Sequence, residues 1–329
     1  MKKKILIVTT GGTIAMKQNS PFGVVPTDEF IKKLKSFPHL NELAKIDVSE
    51  FSNIPSPHIT PQKMLNLAKY IDKKIIDYDG VVVTHGTDTL EETSYLLDLV
   101  LETNKPVVFT AAMRSSSELG LDGPRNIIGA VRVASSDLSF KKGVLIVMND
   151  DINSARDVVK TDTGKTGAFL TPTYGLLGII DPDKIIYYRK SVIKEKIPTD
   201  NIEPNVDLIK CVSGIDDRYI RTSIEKGSKA IVIEAFGRGN VPITLVPAIR
   251  KALDKDIIVV ITSRTYSGRV LPEYGYEGGG LFLQKIGVIL GEDLRGPKMR
   301  IKLMVLYGKY KKPELVREYL KKTIIKNAG

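Results

Sequence analysis

Lys4-Ile5-Leu6-Ile7-Val8-Thr9-Thr10-Gly11-Gly12-Thr13-Ile14-Ala15 sets an apolar, β-branched run directly against a hydroxyl- and glycine-rich tip. The run is continuous and does not alternate, the pattern of a strand covered on both faces in a parallel sheet. The arrangement repeats along the chain. Gly80–Thr84 leads into His85-Gly86-Thr87-Asp88-Thr89, 106–110 into Ala111-Ala112-Met113-Arg114, and 143–148 into Asn149-Asp150. Helical patterns lie between these strands. Thr60-Pro61 supplies an N-cap and a proline at the first helical position. The pattern then runs to about Asp77 with Met64, Leu65, Leu67, Ala68, Ile71 and Ile75 on one face. Further helices are predicted over 88–101 and 124–134. Strands alternating with helices mean an α/β fold with a mostly parallel sheet.

Residues 189–206 break this rhythm. They are polar, carry Pro198 and Pro204, and show no period, which is the signature of a linker. The alternation then resumes with strands at 208–212, 230–234 and 257–262 and helices at 218–226 and 243–253. A final helical pair is predicted at about 297–307 and 314–325. The expected architecture is α/β in two α/β domains. A larger N-terminal domain, 1–188, has a mostly parallel sheet flanked by helices, and a smaller C-terminal domain occupies 207–329.

The chain has 329 residues, 42% hydrophobic and 26% charged, the balance of a globular protein. No apolar run approaches the roughly 20 residues of a membrane span. The lysine-led start imitates a secretion signal, but its apolar run ends at once in Thr9-Thr10-Gly11-Gly12 with no cleavage site. A cytoplasmic location is therefore expected. The lone cysteine, Cys211, excludes an intrachain disulfide, and with His39, His58 and His85 it forms no metal-ligand spacing. The formal charge of +11 raises the question of nucleic acid. The basic residues are spread over helix surfaces and tails, however, so no nucleic-acid partner is expected. Abundant Lys, Glu and Ile with only three Gln suit a protein of high working temperature.

Ligands of open parallel sheets bind at the carboxyl ends of the strands, where the Thr-Gly-Gly-Thr and Gly-Thr-Asp-Thr tips stand. Thr and Gly are also ordinary turn residues, but two such tips favour a site. Gly11-Gly12 lacks the spacing of a dinucleotide motif, and Thr163-Gly164-Lys165-Thr166 lacks the leading glycine of a phosphate loop, since position 159 is Val. No Gly-x-Ser-x-Gly elbow occurs. A threonine hydroxyl needs a proton acceptor to become a nucleophile. Asp88, next to Thr87, and Lys160 are candidates; an Asp–Lys pair also serves as a plain structural ion pair.

Thr-Gly-Gly-Thr-Ile-Ala (10–15) and Thr-His-Gly-Thr-Asp-Thr (84–89) resemble the two signature motifs of bacterial-type L-asparaginases. The resemblance extends through Ala112-Met113-Arg114, Asp122-Gly123-Pro124, 147–150 and 156–161, and more weakly into the C-terminal domain. It implies an amidohydrolase that converts L-asparagine to L-aspartate and ammonia without metal or organic cofactor. It also implies a homotetramer built as a dimer of dimers. Thr13 would be the nucleophile, with Thr87, Asp88 and Lys160 as the second catalytic set. Backbone N–H groups near Thr87 would stabilise the oxyanion. Ser56, Thr87, Asp88 and Ala112 would bind substrate, with Asn240 and Glu277 reaching the amine from a neighbouring subunit.

The sequence departs from that family in places. The usual tyrosine on the loop after the first motif is absent: the first tyrosine is Tyr70, and the loop 17–25 offers Phe22. A hydroxyl from Tyr274 or Tyr276 is the expected replacement. Pro57 and His58 follow Ser56 where the family often has a polar residue. Arg114 and Asp122 are expected to be structural, His85 a packing residue, and Cys211 an inert thiol in a strand. Three alternatives stand beside asparaginase activity. One is a glutaminase-asparaginase. Another is the amidase subunit of an archaeal tRNA amidotransferase, disfavoured because the first motif starts within ten residues of the beginning. The third is a non-catalytic small-molecule or RNA-binding relative, disfavoured because Thr13, Thr87, Asp88 and Lys160 are all present.

Overall fold

The computed structural model describes residues 2–18, 23–27, 29–35, 37 and 39–326, with backbone alone at 33, 35 and 324–326. The chain divides into two compact units, Met1–Lys196 and Ile197–Gly329, and the division falls within 189–206.

The first unit is built on an eight-stranded sheet. In chain order its strands are β1 (Lys4–Thr9), β2 (Lys45–Glu50), β3 (Gly80–Thr84), β4 (Val107–Thr110), β5 (Val144–Met148), β6 (Asp151–Ser154), β7 (Gly178–Ile180) and β8 (Ile185–Tyr187). Their spatial order is β8-β7-β6-β5-β4-β3-β1-β2. The strands from β2 across to β5 pair in parallel, and β5 to β8 pair antiparallel. The parallel order 2-1-3-4-5 reverses direction between β1 and β3, the crevice where such sheets bind ligands.

The strands predicted from sequence are β1, β3, β4 and β5. All residues of β3, β4 and β5 are buried, as are Ile5 through Thr9 of β1. Ile5, Ile7, Val82, Val108, Leu145 and Val147 form one core face with Ile127, Val131 and Ala134 of the helix Gly123–Ser135. The helices Pro61–Lys74 and Leu90–Val100 pack on one another, and the second also packs on β5. Thr60 caps its helix as its sequence suggests, accepting the Lys63 N–H at 3.3 Å.

That helix stops at Lys74 and tightens into a 3-10 turn, Ile75–Asp77, so the predicted span to Asp77 holds with a change of pitch. Lys105 shapes this end. Its ammonium donates to the carbonyls of Ile75, Ile76 and Tyr78 at 2.9, 3.0 and 2.7 Å. Carbonyls at a helix end have no partner within the helix, and a cation there also opposes the dipole.

The second unit has four parallel strands, β9 (Val206–Lys210), β10 (Ala230–Ala235), β11 (Ile258–Ser263) and β12 (Ile289–Leu290), in that spatial order. The first is displaced two residues from its predicted place at 208–212, which leaves Cys211 just beyond its end. The thiol is fully buried, and burial pushes its pKa up to about 11, so it is protonated and unreactive near neutral pH. The closing helices are Gly296–Tyr310 and Pro313–Lys326. No helix among the described residues is long and apolar enough to cross a membrane.

Lys105→Met removes the ammonium and leaves three carbonyls to water. It is expected to lower unfolding stability by about 2 kcal/mol, read by denaturant titration, with the loops after β1 and β3 unaffected.

Candidate active site

The tip after β1 is held by its glycines. Gly11 and Gly12 have φ of +101° and +82°, the left-handed region that favours glycine. There is also no room for a side chain. A Cβ on Gly11 would lie 2.4 Å from the Ile54 nitrogen, and one on Gly12 would lie 2.2 Å from the Gly86 Cα. The loops 10–15, 53–58 and 84–89 therefore meet backbone to backbone. Hydrogen bonds fix the stack. Thr10 donates through N and Oγ1 to the Thr84 carbonyl at 3.1 and 3.0 Å, and Ile54 N donates to the Thr10 carbonyl at 3.2 Å.

Thr10 is thereby fully engaged. Thr13, which opens a 3-10 turn Thr13–Ala15, is half-buried, and its hydroxyl has no hydrogen-bond partner among the described residues.

Gly86 faces the serine loop in the same way, with its Cβ position 2.7 Å from Ser56 Oγ. Ser56 Oγ accepts the Asp88 N–H at 3.2 Å, and its carbonyl accepts from Thr89 Oγ1 at 2.9 Å. Lys160 arrives from a two-residue strand, Val159–Lys160, paired antiparallel with Phe169–Leu170. Its ammonium donates to Thr87 Oγ1 at 2.9 Å and to Asp88 Oδ1 at 2.6 Å. The structure thus brings Ser56, Thr87, Asp88 and Lys160 into one connected group. Thr13 lies one residue from the Gly12–Gly86 contact.

Ala112 is buried just past β4. Its loop hangs on Asp122, whose carboxylate accepts from Met113 N, Arg114 N and Asn126 Nδ2 at 3.0, 3.0 and 3.1 Å. Arg114 Nη1 donates to the carbonyls of Leu119 and Gly120. Both residues shape the loop. Thr89 and Gly86 complete the group without having been given a role from sequence; their signal lay inside the 84–89 motif, which was read as part of a site.

Asn240 and Glu277 belong to the second unit. Asn240 Oδ1 accepts from Gly280 N at 3.3 Å, and Val241 N donates to the Gly278 carbonyl at 2.9 Å, so the two segments are neighbours there. Glu277 is exposed. Tyr274 and Tyr276 are exposed too, their ring centroids 5.8 Å apart. Phe22 lies outside the described residues. Among the described residues no group of three or more His, Cys, Asp and Glu side chains is placed to hold a metal.

A family model described as "Asparaginase, N-terminal" matches residues 4–193, and one described as "Glutaminase/Asparaginase C-terminal domain" matches 205–320. The chain belongs to the asparaginase family. An L-asparaginase of Bacillus licheniformis is 39% identical over 313 residues, 94% of this chain and 97% of that one. A glutaminase-asparaginase of Acinetobacter glutaminasificans is 37% identical over 327 residues, 93% of this chain and 95% of the other. The crystal structure of a probable cytoplasmic L-asparaginase from Campylobacter jejuni matches with a TM-score of 0.88 at 33% identity, over 98% of this chain and 100% of that one.

In this asparaginase-family chain the second motif also carries His85, fully buried behind the threonine loop. Burial lowers its pKa from 6.5 to about 4, against the opposing effect of the Gly86 carbonyl 2.7 Å from Nδ1. The ring is therefore neutral near pH 7, with Nδ1–H donating to Gly86. It packs on Phe109 at 5.9 Å between centroids.

Gly12→Ala must displace either loop and is expected to reduce turnover on the order of 100-fold, measured as initial rate in protein whose circular dichroism is unchanged. A second expectation concerns pH. The folded His85 pKa lies below the unfolded value, so the unfolded chain binds the extra proton. His85 therefore costs stability as pH falls from 6.5 to about 4. Wild type is expected to lose about 3 kcal/mol more over that interval than His85→Gln, measured by urea unfolding at both pH values.

Proposed function

We propose that the protein hydrolyses the side-chain amide of L-asparagine to L-aspartate and ammonia, with Thr13 and Thr87 as the two working hydroxyls. The observation that carries this reading is the Lys160 ammonium shared between Thr87 Oγ1 and Asp88 Oδ1. Because Thr87 accepts from Lys160, its own proton is free to be donated away from the lysine. The Lys160 side chain is 17% exposed against 58% for Asp88, so the amine is the more sheltered partner. That shelter suits a group that relays protons.

In the proposed sequence Thr13 Oγ attacks the amide carbon and gives up its proton. Backbone N–H groups near Thr87 hold the oxyanion. Ammonia leaves with that proton, and a threonyl ester remains. Water, positioned by Thr87 with Lys160 and Asp88, then attacks the ester and restores Thr13. Ser56 Oγ accepts from Asp88 N, which leaves its hydroxyl proton for the substrate α-carboxylate. Asp88 Oδ1 is held by Lys160, which leaves Oδ2 for the α-amine. Ala112 lines the side-chain subsite. Asn240 and Glu277 act from a neighbouring subunit in a homotetramer, a dimer of dimers, with a tyrosine hydroxyl from 274 or 276. No metal, organic cofactor or nucleic acid enters the scheme. The cytoplasmic location said of the Campylobacter protein supports the same location here, and thermal adaptation remains part of the reading.

A broader glutaminase-asparaginase is the second reading. The Acinetobacter protein of that description is nearly as similar, 37% against 39% identical. One methylene separates the substrates, worth about 1–3 kcal/mol of discrimination.

The test is ammonia release from asparagine and glutamine by wild type, T13A, T87A and K160M. Each substitution is expected to lower kcat on the order of 10²–10⁴-fold. Full turnover surviving in both threonine variants would reject the nucleophile and its partner.

A further inference from the structure

A cavity of about 300 Å³ opens in the first unit among Asp98, Lys141, Lys142, Ser154, Arg156 and Lys194. Val144 begins β5, and Ser154 ends the antiparallel β6, so the cavity lies at the end of the sheet opposite the threonine loops. Its volume is at the lower end of the range for small-molecule sites.

The charges around it do not cancel. Asp98 is spent: its Oδ1 accepts from Val144 N at 2.9 Å and stands 3.4 Å from the Lys196 ammonium. Arg156 is matched by Asp157 at 2.8 Å. Glu102 and Glu195 also line the cavity. Against them stand Lys141, Lys142 and Lys194, none of which has a carboxylate within ion-pair distance among the described residues. Lys194 donates to the Lys141 carbonyl at 2.8 Å. The Lys142 ammonium lies over the Tyr187 ring, 4.2 Å from its centroid.

The turn that presents these lysines is fixed on both sides. Lys141 sits at φ +60°, unusual for a residue with a side chain. It is held there by its N–H to the Asn104 carbonyl at 2.9 Å and by Lys194 on its own carbonyl. A set of cations held together with too few anions is stabilised by a bound anion.

We infer that this cavity binds a small phosphate-bearing anion through Lys141, Lys142 and Lys194, at a site separate from the amidase loops. Burial, and after it repulsion from Lys190 and Lys194, already lowers the Lys142 pKa. An anion would relieve that repulsion.

The test is calorimetric titration of the full chain with inorganic phosphate, and separately with adenosine monophosphate, at constant ionic strength. Saturable binding of one phosphate per chain is expected. K142A/K194A should weaken it at least tenfold, and K255A/K312A, which removes the same charge elsewhere, less than twofold. K142M, which keeps an aliphatic stem over Tyr187, should also weaken it, and serves if the double variant does not fold. Equal affinity for the two ligands would mean that the phosphate alone is read; tighter binding of the nucleotide would mean that its body is gripped as well. No saturable binding, or equal weakening in both lysine pairs, would overturn the site.

Discussion

Two glycines with no space between them, Gly12 and Gly86, set the distance on which the rest of the site depends. A methyl group on the first would overlap the backbone of the second. Because contact is made by main chain, its separation is fixed by covalent geometry and not by flexible side chains. Thr13 and Thr87 are the residues that follow directly. The sheet reinforces that contact: β1 and β3 are hydrogen-bonded neighbours, with Thr9 in register with Thr84. In the proposed chemistry these two hydroxyls, on adjacent strand ends of one parallel sheet, are the reacting groups.

The charges near these hydroxyls serve placement more than stability. The Lys160–Asp88 pair is short, but the carboxylate is more than half exposed, and exposed ion pairs contribute little to folding. What the pair fixes is direction. It holds an ammonium against Thr87 and keeps one carboxylate oxygen occupied. His85 complements this from below by staying neutral, so that no second positive charge competes beneath the same loop.

Much of this was legible in the chain, and the exceptions have physical causes. β1, β3, β4 and β5 were visible because burial on both faces demands unbroken Val and Ile runs. β2, Lys-Ile-Asp-Val-Ser-Glu, has exposed and half-buried positions and escaped a search for apolar runs. β6 escaped because its buried positions include Asn153 and Ser154, with Asn153 Oδ1 satisfied by Thr171 Oγ1 at 2.8 Å. β7 and β8 have three residues each, too few to carry a period. The threonine tips were legible as motifs. The Lys160–Thr87 bond spans 73 positions, and no local pattern encodes a contact made by strand order. Resemblance supplied that pairing before geometry did. The cavity beside Lys142 had no sequence signal, since its lysines come from separate segments and read as solvated surface.

The turn from β5 into β6 has a topological consequence. β6 runs backwards, so Ser154 ends at the level of Leu145, at the far end of the sheet. Only six residues later the chain must deliver Lys160 to Thr87, three strands away. That path is roughly 10 Å along the strands and about 14 Å across them. The chain does not run straight there: Asp157 N and Val158 N both donate to the Ser154 carbonyl, at 3.3 and 3.1 Å, which closes a turn just before Val159–Lys160. The turn sets where the short strand starts, and the lysine stem completes the reach to Thr87. In the proposed chemistry the shape of this turn counts as much as the amine it presents, since a deletion within 155–158 would move the ammonium off Thr87 while leaving every named side chain in place.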